Sequence, residues 1–87
     1  MTTYYKATFS DGTVLKRQSA SRKYSHAWII KRATKNPELF GPHFSVTGFC
    51  STLQLAQRSI SSYGGGDNVL LREVAPTVEI TSKEYRS

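Results

Sequence analysis

The sequence predicts an α+β domain: an antiparallel β-sheet of four to five strands with one main α-helix packed on one face, in the order β-β-β-β-α-β. Three observations carry that prediction. Two β-prone runs flank an Asp-Gly pair between residues 3 and 19. Residues 24 to 32 alternate aromatic, aliphatic and basic side chains with a period of two. Residues 51 to 63 hold the clearest helical stripe in the chain, and glycines follow it.

The first element is a hairpin. "TYYKATF" and "TVLKRQS" are joined by "SDGT", in which Asp11-Gly12 suits a two-residue type I′ turn. Such a turn sets Phe9 opposite Val14, Ala7 opposite Lys16 and Tyr5 opposite Gln18. Tyr4, Lys6, Thr8, Leu15 and Arg17 then share the other, solvent-facing side.

"SRKYSHAWIIKR", residues 21 to 32, offers two readings. As a helix it spreads Ala27, Trp28, Ile29 and Ile30 around the whole circumference, which is no amphipathic stripe. As a strand it puts Tyr24, His26, Trp28, Ile30 and Arg32 on one face and Ser25, Ala27, Ile29 and Lys31 on the other. The end signals favour a helix, since Lys31, Arg32 and Lys35 precede Asn36-Pro37. The aromatic and β-branched content favours the strand, and the strand is the expectation here.

"KNPELFGP", residues 35 to 42, reads as a loop. "HFSVTGFCS" follows as a strand with Phe44, Val46 and Phe49 toward the core. Gly48 inside it marks a bulge or a close backbone approach. Ser51 and Gln54 form a capping box for the helix. Leu53, Ala56, Ile60 and Tyr63 line its inner side, while Gln54, Gln57, Arg58 and Ser61 face away. Gly64 to Gly66 end it. "NVLLREV" is the last strand, and "APTVEITSKEYRS" is a short edge strand or a tail, with residues 83–87 frayed.

Eighty-seven residues, 38% of them hydrophobic, make a single domain over residues 1–87, near the lower limit for a core without staples. Cys50, the lone cysteine, excludes an internal disulfide and reads as a small buried hydrophobe. No window approaches a membrane span and the N-terminus lacks an apolar signal core, so the chain reads as soluble and cytoplasmic.

The net charge of +6 is uneven. Residues 1 to 35 hold Lys6, Lys16, Arg17, Arg22, Lys23, Lys31, Arg32 and Lys35 against Asp11 alone, whereas the remainder is close to neutral. An anionic partner meeting the first half would account for this asymmetry, and so would a solubilising surface charge.

Enzymatic signals are weak. "YGGGDN" places its glycines after a helix, where the dipole has the wrong sign for a phosphate loop. His26 and His43 are seventeen residues apart without further ligands at metal spacing. No catalytic residue, metal or cofactor is expected. The feature above background is a basic surface with aromatics, because Lys and Arg neutralise phosphates and Tyr or Trp can stack on unpaired bases. The candidate partner or nucleic-acid contacts are Tyr4, Lys6, Arg17, Arg22, Lys23, Lys31 and Arg32. Trp28 reads more as core than as contact.

"FSDGTVLKRQSASRKYSHAW" and "GFCSTLQLAQRS" resemble segments of small proteins of phages and mobile elements, over roughly residues 4 to 63. Those proteins pair a short DG hairpin, an Arg/Ser-rich link and a Tyr-(Ser/Thr)-His-Ala strand leading to a short capped helix. The resemblance implies a phage-like origin, placing the chain in the host cell cytoplasm, and a role of anti-CRISPR or other anti-defence type that acts by occlusion. It assigns no functional residues. Many such proteins are acidic DNA mimics; a charge of +6 departs from that pattern.

The expected function is therefore a non-enzymatic binding protein that inhibits or modulates a host nucleic-acid-containing complex. Its partner would be an acidic protein surface or a nucleoprotein, with possible RNA or DNA contact and no membrane. The alternatives are a direct nucleic-acid-binding accessory protein and a structural or assembly protein whose sheet edge pairs with another copy.

Overall fold

The structure, a computed structural model, describes residues 2–63 and 65–87, with Phe40 described through its backbone alone. Its elements run β1 (Thr3–Thr8), β2 (Val14–Ser19), β3 (His26–Ala33), α1 (Pro37–Phe40), β4 (His43–Cys50), α2 (Leu53–Tyr63), β5 (Val69–Ile80) and α3 (Ser82–Arg86). The five strands form one antiparallel sheet in the order β2-β1-β5-β3-β4. The α+β class holds, as a mostly antiparallel sheet with small helices. Among the described residues there are three helices where one main helix was expected, and α2 buries only Ala56 fully.

β5 explains the curvature. Its first part pairs with β3 through His26↔Pro76, and its last part pairs with β1 from Ala7↔Thr77 onward. Pro76 lies where the ladder changes partner, a position at which a missing N–H costs least. The sheet curls there into a nearly closed barrel, and the β1–β2 hairpin folds over the inner face of β3 and β5. Ala7, Phe9, Ala27, Ile29 and Ala75 fill that inside, with Leu15, Phe49 and Leu71 at its margin. The hairpin tip is pinned to the opposite wall. Ser10 donates to Glu73 through its N–H (2.7 Å) and its hydroxyl (2.5 Å), and Lys31 donates to Asp11 and, at 2.6 Å, to the Thr13 hydroxyl.

β3 runs through the middle and is buried on both faces, as its continuous apolar centre requires. Ala27 and Ile29 point into the barrel. Trp28 and Ile30 point outward into a second cluster with Ala56, bordered by Cys50, Ile60, Val69 and Val74. Trp28 is 6% exposed, so its core reading stands. It pairs across the ladder with Gly48, whose Cβ, if present, would lie 2.5 Å from the indole nitrogen. The glycine thus marks neither a bulge nor a backbone approach: the indole side chain occupies its side-chain space.

Several local expectations fail, each for an identifiable reason. The hairpin turn has three residues, not two. Gly12 donates to the Phe9 carbonyl and Phe9 donates to the Thr13 carbonyl, with Gly12 at φ 90°. This is a type I turn closed by a left-handed glycine. The pairing becomes Ala7↔Leu15 and Tyr5↔Arg17, which exchanges the two faces of β2. Leu15 turns inward, and Val14 and Lys16 turn outward. The loop 35–42 contains the short helix α1, opened by Pro37. Phe44 (48%) and Val46 (38%) are exposed on the edge strand β4 and are not core.

The α2 cap is Thr52, whose hydroxyl accepts from the Leu55 N–H at 3.2 Å; Ser51 instead offers its carbonyl to the Ser25 hydroxyl. Leu53 and Tyr63 of the expected inner face are exposed. Of the expected glycine terminator, Gly64 lies outside the described residues and Gly66 adopts φ 93°. The last strand continues far beyond "NVLLREV" as a central strand, not an edge. Residues 83–87, expected as a frayed tail, belong mostly to α3, which Thr81 caps by accepting from the Glu84 N–H.

Candidate anion-binding cleft

Seven residues were singled out from the sequence, and the fold disperses them. Lys6 and Lys16 sit directly opposite each other on β1 and β2, an arrangement of like charges that destabilises a sheet. α3 answers it. Lys6 Nζ reaches Glu84 Oε2 at 2.9 Å, and Lys16 Nζ reaches the Glu84 and Ser87 carbonyls at 3.0 and 3.1 Å. Tyr4, on the same face, is covered by Tyr85 at a ring distance of 4.9 Å. Tyr4 and Lys6 are therefore engaged within the chain.

Lys31 and Arg32 are also committed to structure. Lys31 is paired with Asp11, whose carboxyl is held down from its ordinary 3.8 to about 2. The Lys31 hydrogen bond is the larger cause, followed by the Thr13 backbone N–H. Arg32 donates through Nη2 to the Tyr63 and Gly65 carbonyls (2.5 and 2.6 Å) and through Nη1 to the Asp67 carbonyl (3.3 Å). A cation placed on the last carbonyls of a helix satisfies them and complements the dipole. Arg32 is thus a clasp on the end of α2.

Arg17, Arg22 and Lys23 remain. The register shift moves Arg17 off the face of Tyr4 and Lys6 and onto Tyr24, with the guanidinium carbon 5.4 Å from the ring centroid. Tyr24 in turn meets Tyr5 and Phe49 edge-on, at 5.5 and 5.7 Å. The link carrying Arg22, Lys23 and Tyr24 is held in place by its backbone. Arg22 N–H donates to the Ser19 hydroxyl (2.8 Å), the Thr77 hydroxyl donates to the Tyr24 carbonyl (2.6 Å), and Ser25 N–H donates to the Cys50 carbonyl (2.9 Å).

This link forms one wall of an open cleft of about 720 Å³. The floor is the end of β4 and the residue after it, Phe49 to Ser51. The far wall is α2, which presents Leu55, Arg58, Ser59 and Ser62 at helical spacing, with Tyr63 at its end. Arg22, Lys23 and Arg58 are exposed around the cleft and no Asp or Glu lines it. Among the described residues the ion pairs are Lys6–Glu84 and Lys31–Asp11, and Arg22, Lys23 and Arg58 take part in neither. Tyr63 stacks on Trp28 with ring planes 7° apart and centroids 5.6 Å apart, yet stays 59% exposed.

Arg58 and Tyr63 are the residues that sequence reasoning missed. Arg58 lies in the nearly neutral second half, outside the segment to which charge asymmetry directs attention. Its signal was its place on α2 with Leu55, Ser59 and Ser62. Tyr63 was expected in the core.

Comparison with protein-family models, with curated proteins and with solved structures returned no match. No helix among the described residues is long and apolar enough to cross a membrane.

Proposed function

We propose that this protein is a non-enzymatic binding module that docks onto a nucleic-acid-containing complex through the cleft between the β2–β3 link and α2. The resemblance to phage proteins makes that complex one of host defence, inhibited by occlusion. The observation that carries the docking reading is the convergence of Arg22, Lys23 and Arg58, from two separate elements, on one concave surface without an acid. Such a surface raises the local concentration of an anionic partner and accelerates its encounter. In this reading α2 packs on the sheet to hold Arg58 opposite the link, and Arg17 adds positive potential beside Tyr24.

The test is retention of partners from a host lysate on immobilised protein, with and without nuclease, against the triple variant Arg22→Glu, Lys23→Glu, Arg58→Glu. Wild type retains a complex that the variant loses, and retention falls as salt rises. Equal retention by both proteins, or affinity independent of salt, overturns the reading. A direct nucleic-acid-binding role is the second reading, favoured by the exposed Tyr63 ring among these cations.

A further inference from the structure

We infer that the cleft takes single-stranded nucleic acid, with one base stacked on Tyr63 to lengthen the Trp28–Tyr63 stack and the adjoining phosphates held by Arg22, Lys23 and Arg58. This rests on the basic-cleft reading above and names its ligand class.

Three observations converge on a base. The first is a rigid platform. Trp28 is fixed in the outer cluster and seated over Gly48, and Tyr63 lies parallel to it at 7°. Arg32 grips the Tyr63 carbonyl at 2.5 Å, which anchors the backbone beneath the ring. A ring already ordered loses little entropy when a ligand stacks on it. The second is exposure: Tyr63 lines the cleft and is 59% exposed, although it is a large aromatic at the end of a helix. The third is charge, with three cations and no acid around the same opening.

These features discriminate among anions. An acidic peptide would use the cations and leave the aromatic plane without a matching surface. A duplex keeps its bases stacked inside and offers phosphates alone. Single-stranded RNA or DNA presents both groups, a repeating negative charge and flat bases free to stack, and any base serves because each has a π-face.

The experiment titrates fluorescently labelled oligo-dT, oligo-U, a duplex of equal length and heparin into the intact protein at low salt. Anisotropy reports affinity. Emission of Trp28, the only tryptophan, reports the stack. The expected result is tighter binding of the single strands than of the duplex, with quenching of Trp28 emission. Tyr63→Leu, which keeps apolar cover over Trp28 without a ring, lowers oligo-dT affinity about fivefold or more and leaves heparin affinity unchanged. Tyr63→Phe restores it. Arg58→Glu weakens oligo-dT and heparin alike. If Tyr63→Leu binds oligo-dT as wild type does while Arg58→Glu still weakens both polyanions, the stacking site is overturned and the basic cleft survives. If neither substitution changes any affinity, the reading of the cleft falls with it.

Discussion

Gly48→Ala puts the packing of Trp28 to a direct test. An alanine Cβ at this position would stand 2.5, 2.7 and 2.8 Å from the indole Nε1, Cε2 and Cζ2 atoms. Real Cβ atoms do not approach this closely, so the ring or the β4 backbone must move. The ring has little room, because Ile30 and Ala56 share its buried cluster and Tyr63 stacks on it. Overpacking of this kind costs about 1–3 kcal/mol, and a clash with three ring atoms belongs near the upper end. Against it stands the reduced freedom of the unfolded chain, which by itself makes Gly→Ala stabilising by about 0.4–1 kcal/mol. The net is a loss of about 2 kcal/mol. For a domain of this size that lowers Tm by about 8–16 °C. The assay is thermal unfolding followed by circular dichroism and by Trp28 fluorescence. Tm should fall, and the emission of the folded variant should differ from wild type. An unchanged Tm with unchanged emission would refute the claim that the indole fills the space of the missing side chain.

Other perturbations separate the remaining contacts. Thr52→Ala removes the hydroxyl that caps α2 and should cost about 1 kcal/mol in chemical denaturation, whereas Ser51→Ala should stay within about half a kcal/mol of wild type. The depressed pKa of Asp11 means that its charged form is favoured in the folded state. Its contribution is fully present above the unfolded carboxyl value of 3.8 and is lost as pH falls through about 2. Asp11→Asn should therefore be less stable than wild type at neutral pH, with the difference closing between those limits in pH-dependent melts. Glu84→Ala removes the carboxylate that pairs with Lys6, while the backbone carbonyl that Lys16 reaches remains. It should cost no more than about 1 kcal/mol, a loss that high salt reduces.

The strand β3 was legible because its alternation survives burial on both faces: Ala27 and Ile29 go one way, Trp28 and Ile30 the other. Gly48 stood out as an interior glycine, but the group that needs its missing side chain is the Trp28 indole, not a neighbouring backbone, because the cross-strand partner is fixed only by the register. The hairpin register was not legible. "SDGT" supports a two-residue turn and a three-residue turn, and the choice between them depends on tertiary contacts of Ser10 and Asp11 with Glu73 and Lys31. That single residue decides whether Arg17 joins Lys6 or Tyr24, so the candidate site inherited the error. Charge counting also could not separate free cations from engaged ones. Lys6, Lys31 and Arg32 look like Arg22 and Lys23 in sequence, but their partners, Glu84, Asp11 and the carbonyls at the end of α2, are distant along the chain. Arg58 was hidden for the same reason, because it meets Arg22 and Lys23 only once α2 folds back across the sheet.

The most direct measurement of the cleft is a heteronuclear NMR titration of the labelled protein with a single-stranded oligonucleotide at low salt. Amide shifts should move first and farthest at residues 22–24, 49–51 and 58–63, and should reverse as salt is added. Changes centred instead on Tyr4, Lys6 and Lys16, or on the exposed edge of β4, would contradict the account, as would no change at all.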